Sequence, residues 1–368
     1  MALEPRETDF LPHFSNLSRR FPTELARDAL SIAILRLEAA SKFPSAERMY
    51  FTRESLEQST SYEIAEYRAE RFRSFQRLVD LGCSIGGDTL ALSSVAPCIG
   101  VDADILRLNM ARANLDVPEL SGRAVFIQAD LRHPLPLAAH PGAALFFDPA
   151  RRLAGKRAYS VRQYQPALDI IRTWLPAFPA LGVKISPGVK LEEISAYDAE
   201  LEFISLRGEL KEAVLWFGPL KTTRRQATLL PGGHTLICDG EPDLPVGEPR
   251  AFLYEPDPAV LRAGMVRCLG QQLDAIQLDP EIAYLTAHHK QPTPFARVWA
   301  VDDWFPFGMK RLRAYLREKG IGRIVVKKRG SPLTPETLIR GLRLKGEEER
   351  LVFLTQLRGH PIVIICFP

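Results

Sequence analysis

The sequence predicts an α/β fold with a parallel β-sheet and helices on both faces of that sheet. From residue 77 onward, short apolar runs such as "RLVDLG", "CIGVD" and "AVFIQAD" alternate with amphipathic segments, and this alternation is typical of successive βαβ units. Residues 1–76 instead carry apolar side chains at helical spacing. Residues 251–368 mix helix-like and strand-like runs after a stretch rich in Pro, Gly and acidic residues at 239–250. We therefore predict an N-terminal helical region over 1–76, a sheet domain over 77–240 and a C-terminal α+β domain over 251–368.

Two helices are expected in the N-terminal region. The first lies in "TELARDALSIAILRLEAASKF", where apolar residues recur three or four positions apart. The second is expected in "TSYEIAEYRAERFRSF", because Thr60 and Glu63 have capping-box spacing. Between the two helices, residues 50–60 mix aromatic and charged side chains without a clear period. We interpret this stretch either as a lid over a ligand site or as an interhelical turn.

Antiparallel elements follow the parallel part of the chain. "LEFISLRGELKEAVLWFG" holds two strand-like runs around Arg207-Gly208-Glu209, which predicts a hairpin that closes one edge of the sheet. Further on, "KRLRAYLREKG" and "PETLIRGLRLKG" predict helices, whereas "ARVWAVDDWF", "RIVVKKRG", "RLVFLTQL" and "PIVIICF" predict strands. These runs suffice for a second unit of domain size.

Composition excludes several classes of protein. The chain has 368 residues, of which 46% are hydrophobic and 25% charged, so two or three globular domains are expected. The longest apolar runs are too short to cross a bilayer, and the acidic start "MALEPRETDF" has no apolar signal core. Five scattered cysteines form no CxxC or Cys/His cluster. We therefore expect a cytoplasmic protein with reduced thiols, no disulfide bond, no metal site and no membrane contact.

A loop of small residues directly follows the first apolar strand, in "LVDLGCSIGGDTLAL" at residues 78–92. Gly82 and Gly86 allow the backbone to turn tightly and to approach a ligand, and Gly87 can begin the next helix. The loop does not read GxGxxG, and no Lys-Ser or Lys-Thr follows it. A dinucleotide enzyme is therefore less favoured.

Three successive strands end in aspartate. Asp80 can hold a cationic amino group, Asp102 lies where a carboxylate accepts from ribose hydroxyls, and Asp130 can accept from an adenine amine. A ligand that fits all three is a nucleoside that carries an amino acid. S-adenosylmethionine is such a molecule, and it is the cofactor that the pattern predicts.

The segments "DLGCSIGGD", "GVDAD" and "IQADL" resemble the first three motifs of class I S-adenosylmethionine-dependent methyltransferases. The resemblance covers roughly residues 77–220 and implies a Rossmann-like sheet. The positions that it assigns to the donor site are Asp80, Gly82, Cys83, Gly86, Gly87, Asp102, Ala103, Asp130 and Leu131. Ser84 stands where such loops often have glycine, and we expect it to take a negative φ. The alternative is a sheet that binds nothing, with the aspartates acting as helix caps.

The fourth strand carries the predicted chemistry. "ALFFDPARR" places Asp148 and Pro149 at the end of an apolar run, where amino-directed nucleic-acid methyltransferases have an Asp/Asn/Ser-Pro-Pro-aromatic motif. The resemblance implies that Asp148 orients an exocyclic amine toward the methyl group. Transfer then depends mainly on alignment. A C5-pyrimidine mechanism is disfavoured, because no cysteine closely follows the motif.

The same motif departs from the family pattern after its proline. Ala150 and Arg151 replace the second proline and the aromatic residue, so base stacking must come from another side chain. The candidates are Tyr159, Tyr164 and Trp216. Arg151 and Arg152 can hold a phosphate, or they can form salt bridges that cap a loop. We assign Arg151 to the catalytic set and Arg152 to the RNA-binding set.

A narrower resemblance spans nearly the whole chain. "FTRESLEQST", "DPARR", "KISPG", "YEPDPAVLRAG" and "VKKRGSPLTPETLIRGLRLKG" resemble bacterial methyltransferases with a C-terminal THUMP-like domain. The catalytic part of these enzymes is similar to the trimethylguanosine synthase-type RNA methyltransferases. THUMP-type modules are associated with RNA, so the resemblance implies RNA as a partner.

The charge distribution agrees with such a partner. Residues 297–358 hold fifteen Lys and Arg against seven Asp and Glu, a net charge of +8, whereas the whole chain carries only +4. A basic module of this kind suits a polyanion, although solvated helix faces would have the same composition. The predicted RNA-binding cations are Arg152, Lys327, Lys328, Arg329, Arg340 and Arg343, and Lys345 could extend the patch.

Three functions are compatible with the sequence. The first is methylation of an RNA base at an exocyclic nitrogen. The second is methylation of a small molecule or a protein, with the C-terminal domain serving for packing or dimerisation. The third is a non-catalytic RNA-binding protein with a vestigial donor site, which the intact aspartates and glycines argue against.

Overall fold

The computed structural model describes residues 8, 10–117, 120, 122–153, 156–158, 160–238 and 240–368, with the backbone alone at 152, 153, 156 and 157. Asp239, the first residue of the predicted linker, therefore lies outside the described residues. The chain divides into two compact units. The first comprises the residues up to Glu202 together with Glu212–Arg224, and the second comprises Phe203–Lys211 and Arg225–Pro368.

The first part of the chain is helical and then alternates strands with helices. Its α-helices are α1 Phe10–Leu17, α2 Thr23–Ala39, α3 Arg53–Gln58, α4 Tyr62–Glu70, α5 Gly87–Val95, α6 Ile105–Leu115, α7 Ile171–Trp174 and α8 Leu191–Ile194. Its strands are β1 Arg77–Leu81, β2 Cys98–Asp102, β3 Ala124–Gln128, β4 Ala143–Phe147, β5 Arg152–Leu153, β6 Lys156–Arg157, β7 Leu181–Ile185, β8 Glu200–Leu206 and β9 Glu209–Phe217.

The remaining elements follow β9. The strands are β10 Arg225–Leu230, β11 His234–Ile237, β12 Phe252–Pro256, β13 Ile276–Asp279, β14 Ile282–Ala287, β15 Ala296–Pro306, β16 Ile321–Lys328, β17 Glu348–Leu357 and β18 His360–Cys366. The helices are α9 Pro258–Arg262, α10 Val266–Gln272, α11 Met309–Glu318 and α12 Pro335–Leu342. The C-terminal helices and strands predicted from the sequence are all present.

In the first unit, neighbouring strands lie in the order β9-β7-β4-β1-β2-β3. β1 pairs in parallel with β2 and β4, β2 with β3, and β4 with β7, whereas β7 and β9 are antiparallel. The predicted α/β fold with a parallel sheet is therefore confirmed. The predicted hairpin is also present, because β8 and β9 are neighbours joined by Arg207 and Gly208. The expectation that it closes an edge of the sheet was wrong, since β10 lies beside β8 and β11 beside β10.

The N-terminal helices pack against the start of the sheet domain. Phe43 and Phe51 are buried with Leu35, Leu56 and the loop residue Ile85 in one apolar cluster. This packing fixes α2 and α3 against the segment that follows β1. The helical region therefore packs directly against the glycine loop and belongs to the same unit.

One helix start differs from its prediction. The capping box lies at Thr52 and Ser55, where each side chain bonds the backbone of the other residue at the start of α3. α4 begins only after Ser61. The hydroxyl of Thr60 instead accepts a hydrogen bond from Lys184 Nζ at 2.7 Å. The prediction of a capping box at Thr60 was therefore wrong, because a distant lysine takes the side chain that the local pattern assigned to the helix.

In the second unit, β10 and β11 form an antiparallel pair, and a seven-stranded sheet has the order β13-β14-β12-β15-β18-β17-β16. One apolar cluster packs α11 and α12 against this sheet, through residues such as Leu312, Leu338 and Val363. A second cluster joins side chains of β12, β14 and β17. Side chains near the end of β16 reach those of β12 and β14, so the sheet is strongly curved.

The thiols differ from their prediction. Cys238 and Cys268 form a disulfide bond, with their Cα atoms 6.2 Å apart, while Cys83, Cys98 and Cys366 are free and buried. The expectation of no disulfide bond was therefore wrong. The two partners are 30 positions apart in the chain. The segment between them contains β12, α9 and the start of α10, and only its folding brings the two thiols together.

Candidate active site

A cavity of about 660 Å³ opens at the carboxyl ends of β1, β2, β3 and β4. Gly82, Asp102, Asp130 and Asp148 line it, one from the end of each strand. Residues 55 and 57–60 form a further part of the wall. The parallel sheet thus brings the predicted motifs to one site, as expected for strands whose carboxyl ends share an edge.

The glycine loop is shaped by close contacts with the backbone. Gly82 has φ +79°, and a Cβ atom there would lie 2.7 Å from the carbonyl oxygen of Asp148. Gly86, with φ +84°, precedes α5, and a Cβ atom there would lie 2.7 Å from Leu115 Cδ1. Both positions require glycine for conformation and for space. Gly87 begins α5 and lines the cavity, as predicted.

Ser84 corrects an expectation about this loop. Its φ is +49°, not negative. Its backbone N–H donates to Asp102 Oδ2 at 2.9 Å, which holds the serine in the left-handed region despite the steric cost to a side chain there. The loop therefore has the same sharp turn that a glycine would give, and the turn is fastened to the end of β2.

Asp80 does not line the cavity. Its side chain is fully buried and accepts a hydrogen bond from Thr89 Oγ1 at 2.6 Å. Burial raises its pKa well above the ordinary value, and the nearby Asp88 adds to the rise. The expectation that Asp80 faces an amino group is therefore not met by its position. Asp88, at the start of α5, lines the cavity instead.

The position of Asp102 agrees with its predicted role. Oδ2 accepts from Ser84 N and Oδ1 from Asp104 N, both at 2.9 Å. Each carboxylate oxygen has lone pairs for a further donor, and the residue lines the cavity with its neighbour Ala103. Asp102 can therefore accept from a pair of ligand hydroxyls while the backbone holds it in place.

Asp130 and Leu131 line the cavity after β3. Asp130 is paired with Arg132, whose Nη2 lies 2.6 Å from Oδ2. The hydrogen bonds from Arg132 lower the pKa of Asp130 to about 2, so this carboxylate is an acceptor throughout the ordinary pH range. Cys83 also lines the cavity, but burial raises the pKa of its thiol, so it provides an apolar wall and no nucleophile.

Asp148 is held by a lysine that the sequence analysis missed. Lys184 Nζ, on β7, lies 2.6 Å from Asp148 Oδ2 and also donates to Thr60 Oγ1 at 2.7 Å. Asp148 Oδ1 has no partner among the described residues, so it is the oxygen open to a ligand. A single lysine within the apolar run "ALGVKIS" was the available signal, because a buried cation requires a buried anion.

A second buried cation lies in the same unit. Arg68, on α4, forms ion pairs with Asp88 and with Glu212 Oε1, the latter at 3.1 Å. Its guanidinium carbon lies 4.4 Å from the ring centroid of Phe146 on β4. Burial raises the pKa of Glu212, although Arg68 lowers it. Arg68 thereby fixes Asp88, which lines the cavity.

The residues after Asp148 form one side of the cavity. Pro149, Ala150 and Arg151 line it, and Arg151 Nη1 is buried without a hydrogen-bond partner among the described residues. Tyr164 lines it as well, and its hydroxyl accepts from Ser186 N at 2.8 Å. An unpaired guanidinium nitrogen beside a tyrosine ring suits a ligand with an anionic group.

The other stacking and phosphate candidates differ in their placement. Trp216 is fully buried, and its Nε1 donates to Glu202 Oε2 at 2.7 Å. It lies beside Phe72 in the core and does not line the cavity, so its prediction as a stacking residue was wrong. Tyr159 and the side chain of Arg152 lie outside the described residues.

The predicted basic cluster of the C-terminal region is divided between two faces of a strand. Lys327 and Arg329 are half-buried and share the carboxylate of Glu255, the latter at 3.8 Å. Lys328 is exposed, and it alternates with Lys327 along β16. The cations at 327–329 therefore do not form one exposed patch. Arg340, Arg343 and Lys345 are exposed, as a solvent-facing patch requires.

The geometry and the comparisons with known proteins agree on the class. A Rossmann-like parallel sheet with a glycine loop and aspartates at its strand ends is the arrangement of a methyltransferase. Residues 296–368 match the THUMP domain-like family. The chain is 34% identical over 351 residues, 91% of this chain and 95% of each relative, to two proteins of Mycobacterium tuberculosis, from strains CDC 1551 and H37Rv. Each is named an uncharacterized S-adenosylmethionine-dependent methyltransferase.

A solved structure has the same fold over the full length. It is that of a candidate methyltransferase from Porphyromonas gingivalis W83, with 22% sequence identity, a TM-score of 0.81 and 99% of both chains covered. Together with the Mycobacterium relatives, the family is established. The chain belongs to the S-adenosylmethionine-dependent methyltransferases and uses S-adenosylmethionine as its cofactor.

No helix among the described residues combines the length and the apolar character needed to cross a bilayer. The same residues contain no group of three or more His, Cys, Asp and Glu side chains that could hold a metal ion.

Proposed function

We propose that this enzyme methylates an exocyclic nitrogen of a base in RNA. The observation that carries the proposal is the placement of Asp148. Its carboxylate stands at the end of β4, in the same cavity as the glycine loop, and one oxygen is held by Lys184 while the other is open. A primary amine can donate a hydrogen bond to a carboxylate oxygen that is fixed in place and has no other partner, and this bond aligns the amine for transfer.

The residues that line the cavity are suited to bind S-adenosylmethionine, the methyl donor. When bound, S-adenosylmethionine supplies a methyl group on a positively charged sulfur. Asp102 would accept from the ribose hydroxyls, and Asp130 from the adenine amine. Asp88 replaces Asp80 as the carboxylate that faces the amino group, since only Asp88 of the two lines the cavity. Glycine at 82 and 86 lets the loop turn closely against Asp148 and Leu115, and this turn shapes the edge of the cavity.

The acceptor side is built from the residues after β4. Asp148 Oδ1 would accept from the amine, and the backbone around Pro149 would direct it. Tyr164 is a predicted stacking residue that lines the cavity, so we assign it to base contact. Arg151 would bind a phosphate next to the target base through its unpaired Nη1. The resemblance of the catalytic part to trimethylguanosine synthase-type enzymes supports an amine as the acceptor.

RNA as the substrate class is supported by the C-terminal region. That region matches a THUMP domain-like family, and residues 297–358 carry a net charge of +8. We propose that Arg340 and Arg343, which are exposed, add general attraction to phosphates. We place the activity in the cytoplasm, where bacterial RNA is modified.

The test is mass spectrometry of modified nucleosides in total RNA from cells with and without the gene. We expect one methylated nucleoside to disappear in the deletion strain and to return with the wild-type gene but not with Asp148→Ala. Identical nucleoside profiles in all strains would refute RNA as the substrate. Small-molecule and protein methylation would then be tested with labelled donor and cell extract.

A further inference from the structure

A second cavity, of about 590 Å³, lies within the second unit. Its wall combines the hairpin tip at Arg207 and Gly208 with the ends of β12 and β16. We call it the basic groove, defined by Arg207, Arg297, Lys327, Arg329, Glu255 and Asp257. These four cations and two carboxylates give it a net charge of +2.

Arg297 is the open cation of the basic groove. Its side chain is exposed, and it has no ion pair or side-chain hydrogen bond among the residues that the structure describes. A Cβ atom on Gly208 would lie 3.1 Å from Arg297 Nη2. Glycine at the hairpin tip therefore leaves room for the guanidinium of Arg297 beside the turn.

The other cations of the basic groove are held in place. Lys327 Nζ pairs with Glu255 and lies 4.6 Å from the ring centroid of Trp299. Arg329 lies 5.1 Å from the ring centroid of Tyr284 and shares the same carboxylate. The single carboxylate of Glu255 cannot neutralise both Lys327 and Arg329, so one positive charge is left in excess. The contacts of the two cations with Trp299 and Tyr284 restrict where that charge lies.

We propose that the basic groove binds the phosphodiester backbone of single-stranded RNA, with Arg297 as the main phosphate contact. The proposal rests on the proposed function, since it names where the RNA substrate is held outside the active site. Glu255 and Asp257 favour RNA over an acidic peptide. Their carboxylates accept from ribose 2′-hydroxyls, but they repel the carboxylates of a peptide.

The chain offers a matched control for this site. Lys328 adjoins Lys327 in sequence but points to the opposite face of β16, where it is exposed. If RNA binding depended only on the general positive charge of this region, the loss of Lys328 and the loss of Arg297 would weaken it equally. If RNA lies in the basic groove, only the loss of Arg297 weakens binding.

The probe is a fluorescein-labelled oligouridylate, because it offers phosphates and 2′-hydroxyls with little base structure. Its binding to the full-length protein is measured by anisotropy over a series of KCl concentrations. For Arg297→Ala we expect affinity to fall about tenfold at low salt and the salt slope to flatten by about 0.7. For Lys328→Ala we expect little change in either quantity.

A variant that binds RNA more tightly excludes misfolding as the cause of altered affinity, because a misfolded groove would not gain affinity. Glu255→Gln removes the charge that Lys327 and Arg329 share but keeps an oxygen that accepts hydrogen bonds. We expect it to bind the oligouridylate more tightly, with a slope steeper by about 0.7 for each cation freed to meet a phosphate. Oligoglutamate of equal charge is expected to compete poorly.

The groove proposal is overturned by any of four results. These are no binding of oligouridylate by the wild type, no effect of Arg297→Ala, an equal effect of Lys328→Ala, or full competition by oligoglutamate. The proposed function is tested separately by the nucleoside profiles. Groove-dependent binding without RNA methylation refutes that function alone, whereas RNA methylation with an unchanged KM in Arg297→Ala refutes the groove alone.

Discussion

The active-site cavity and the basic groove both join cations to carboxylates, but they do so at different depths. Arg68 and Lys184 have side chains only 2% and 4% exposed. Lys327 and Arg329 have side chains 22% and 26% exposed. Buried charges are held tightly by their partners and are little affected by salt, whereas partly exposed charges can attract a ligand from solution and are screened more by salt.

This difference corresponds to two tasks. Methyl transfer requires atoms aligned to a fraction of an ångström, and we propose that the contacts of Lys184 with Asp148 and Thr60 supply that order. Capture of a polyanion requires only that positive charge be reachable. Variants of the cavity should therefore affect turnover and folding, and variants of the groove should affect binding and its salt dependence.

The largest effect is expected for Asp148→Ala. Methyl transfer should be abolished with donor affinity close to that of the wild type, because Asp148 Oδ1 is the oxygen that we propose to face the acceptor. The change also leaves Lys184 buried without its anion, which costs about 3 kcal/mol of unfolding free energy. Turnover is measured with labelled donor, donor affinity by calorimetry and stability by urea unfolding.

A double variant separates these two effects. Asp148→Ala with Lys184→Met should recover most of the stability and none of the activity, since no charge is then left unpaired. Full turnover in Asp148→Ala would show that the carboxylate is structural. Loss of donor binding as well would mean only that the cavity had collapsed.

The next effect concerns the backbone of the cavity. Gly82→Ala should lower the free energy of unfolding by about 2–3 kcal/mol and weaken donor binding, because the new methyl group meets the carbonyl oxygen of Asp148 at positive φ. Gly122→Ala is the matched control, since Gly122 has φ +73° and open space around it. Equal losses in both variants, measured by thermal unfolding, would mean that φ alone matters at Gly82.

A smaller effect is expected at the donor site. Asp102→Ala should weaken S-adenosylmethionine binding by about 1.5–3 kcal/mol, as expected for hydrogen bonds to a charged group. It should also loosen the glycine loop, because Ser84 N loses its acceptor. Calorimetric titration that finds equal affinity in the variant and the wild type would contradict the assignment of Asp102 to the ribose.

The smallest effect is a pH dependence at the rim of the cavity. Arg132 lowers the pKa of Asp130 to about 2, so the stabilising contribution of this pair is complete above the ordinary aspartate pKa. It is lost as the pH falls through about 2. Arg132→Ala should raise the pKa of Asp130 toward its usual range, measured by NMR titration of the carboxyl carbon. An unchanged titration would mean that the backbone alone sets this pKa.

The sequence by itself determined the parallel sheet and the set of strand-end aspartates. Strand, turn and helix signals are local, and a parallel sheet always brings the carboxyl ends of its strands to one edge. Gly82, Asp102, Asp130 and Asp148 therefore line one cavity, as their positions after successive apolar runs predicted. The hairpin at Arg207 and Gly208 could also be predicted, because its strand and turn signals are local.

Only the tertiary structure decided which charged and polar side chains contact one another. Thr60 and Lys184 are 124 residues apart, and no local pattern links them, so the sequence assigned Thr60 to a helix cap. Burial of Asp80 and Trp216, and the disulfide between Cys238 and Cys268, likewise depend on which elements pack together. The two faces of β16 separate Lys327 from Lys328 because each strand residue points opposite to the next, and only packing decides which face becomes a groove.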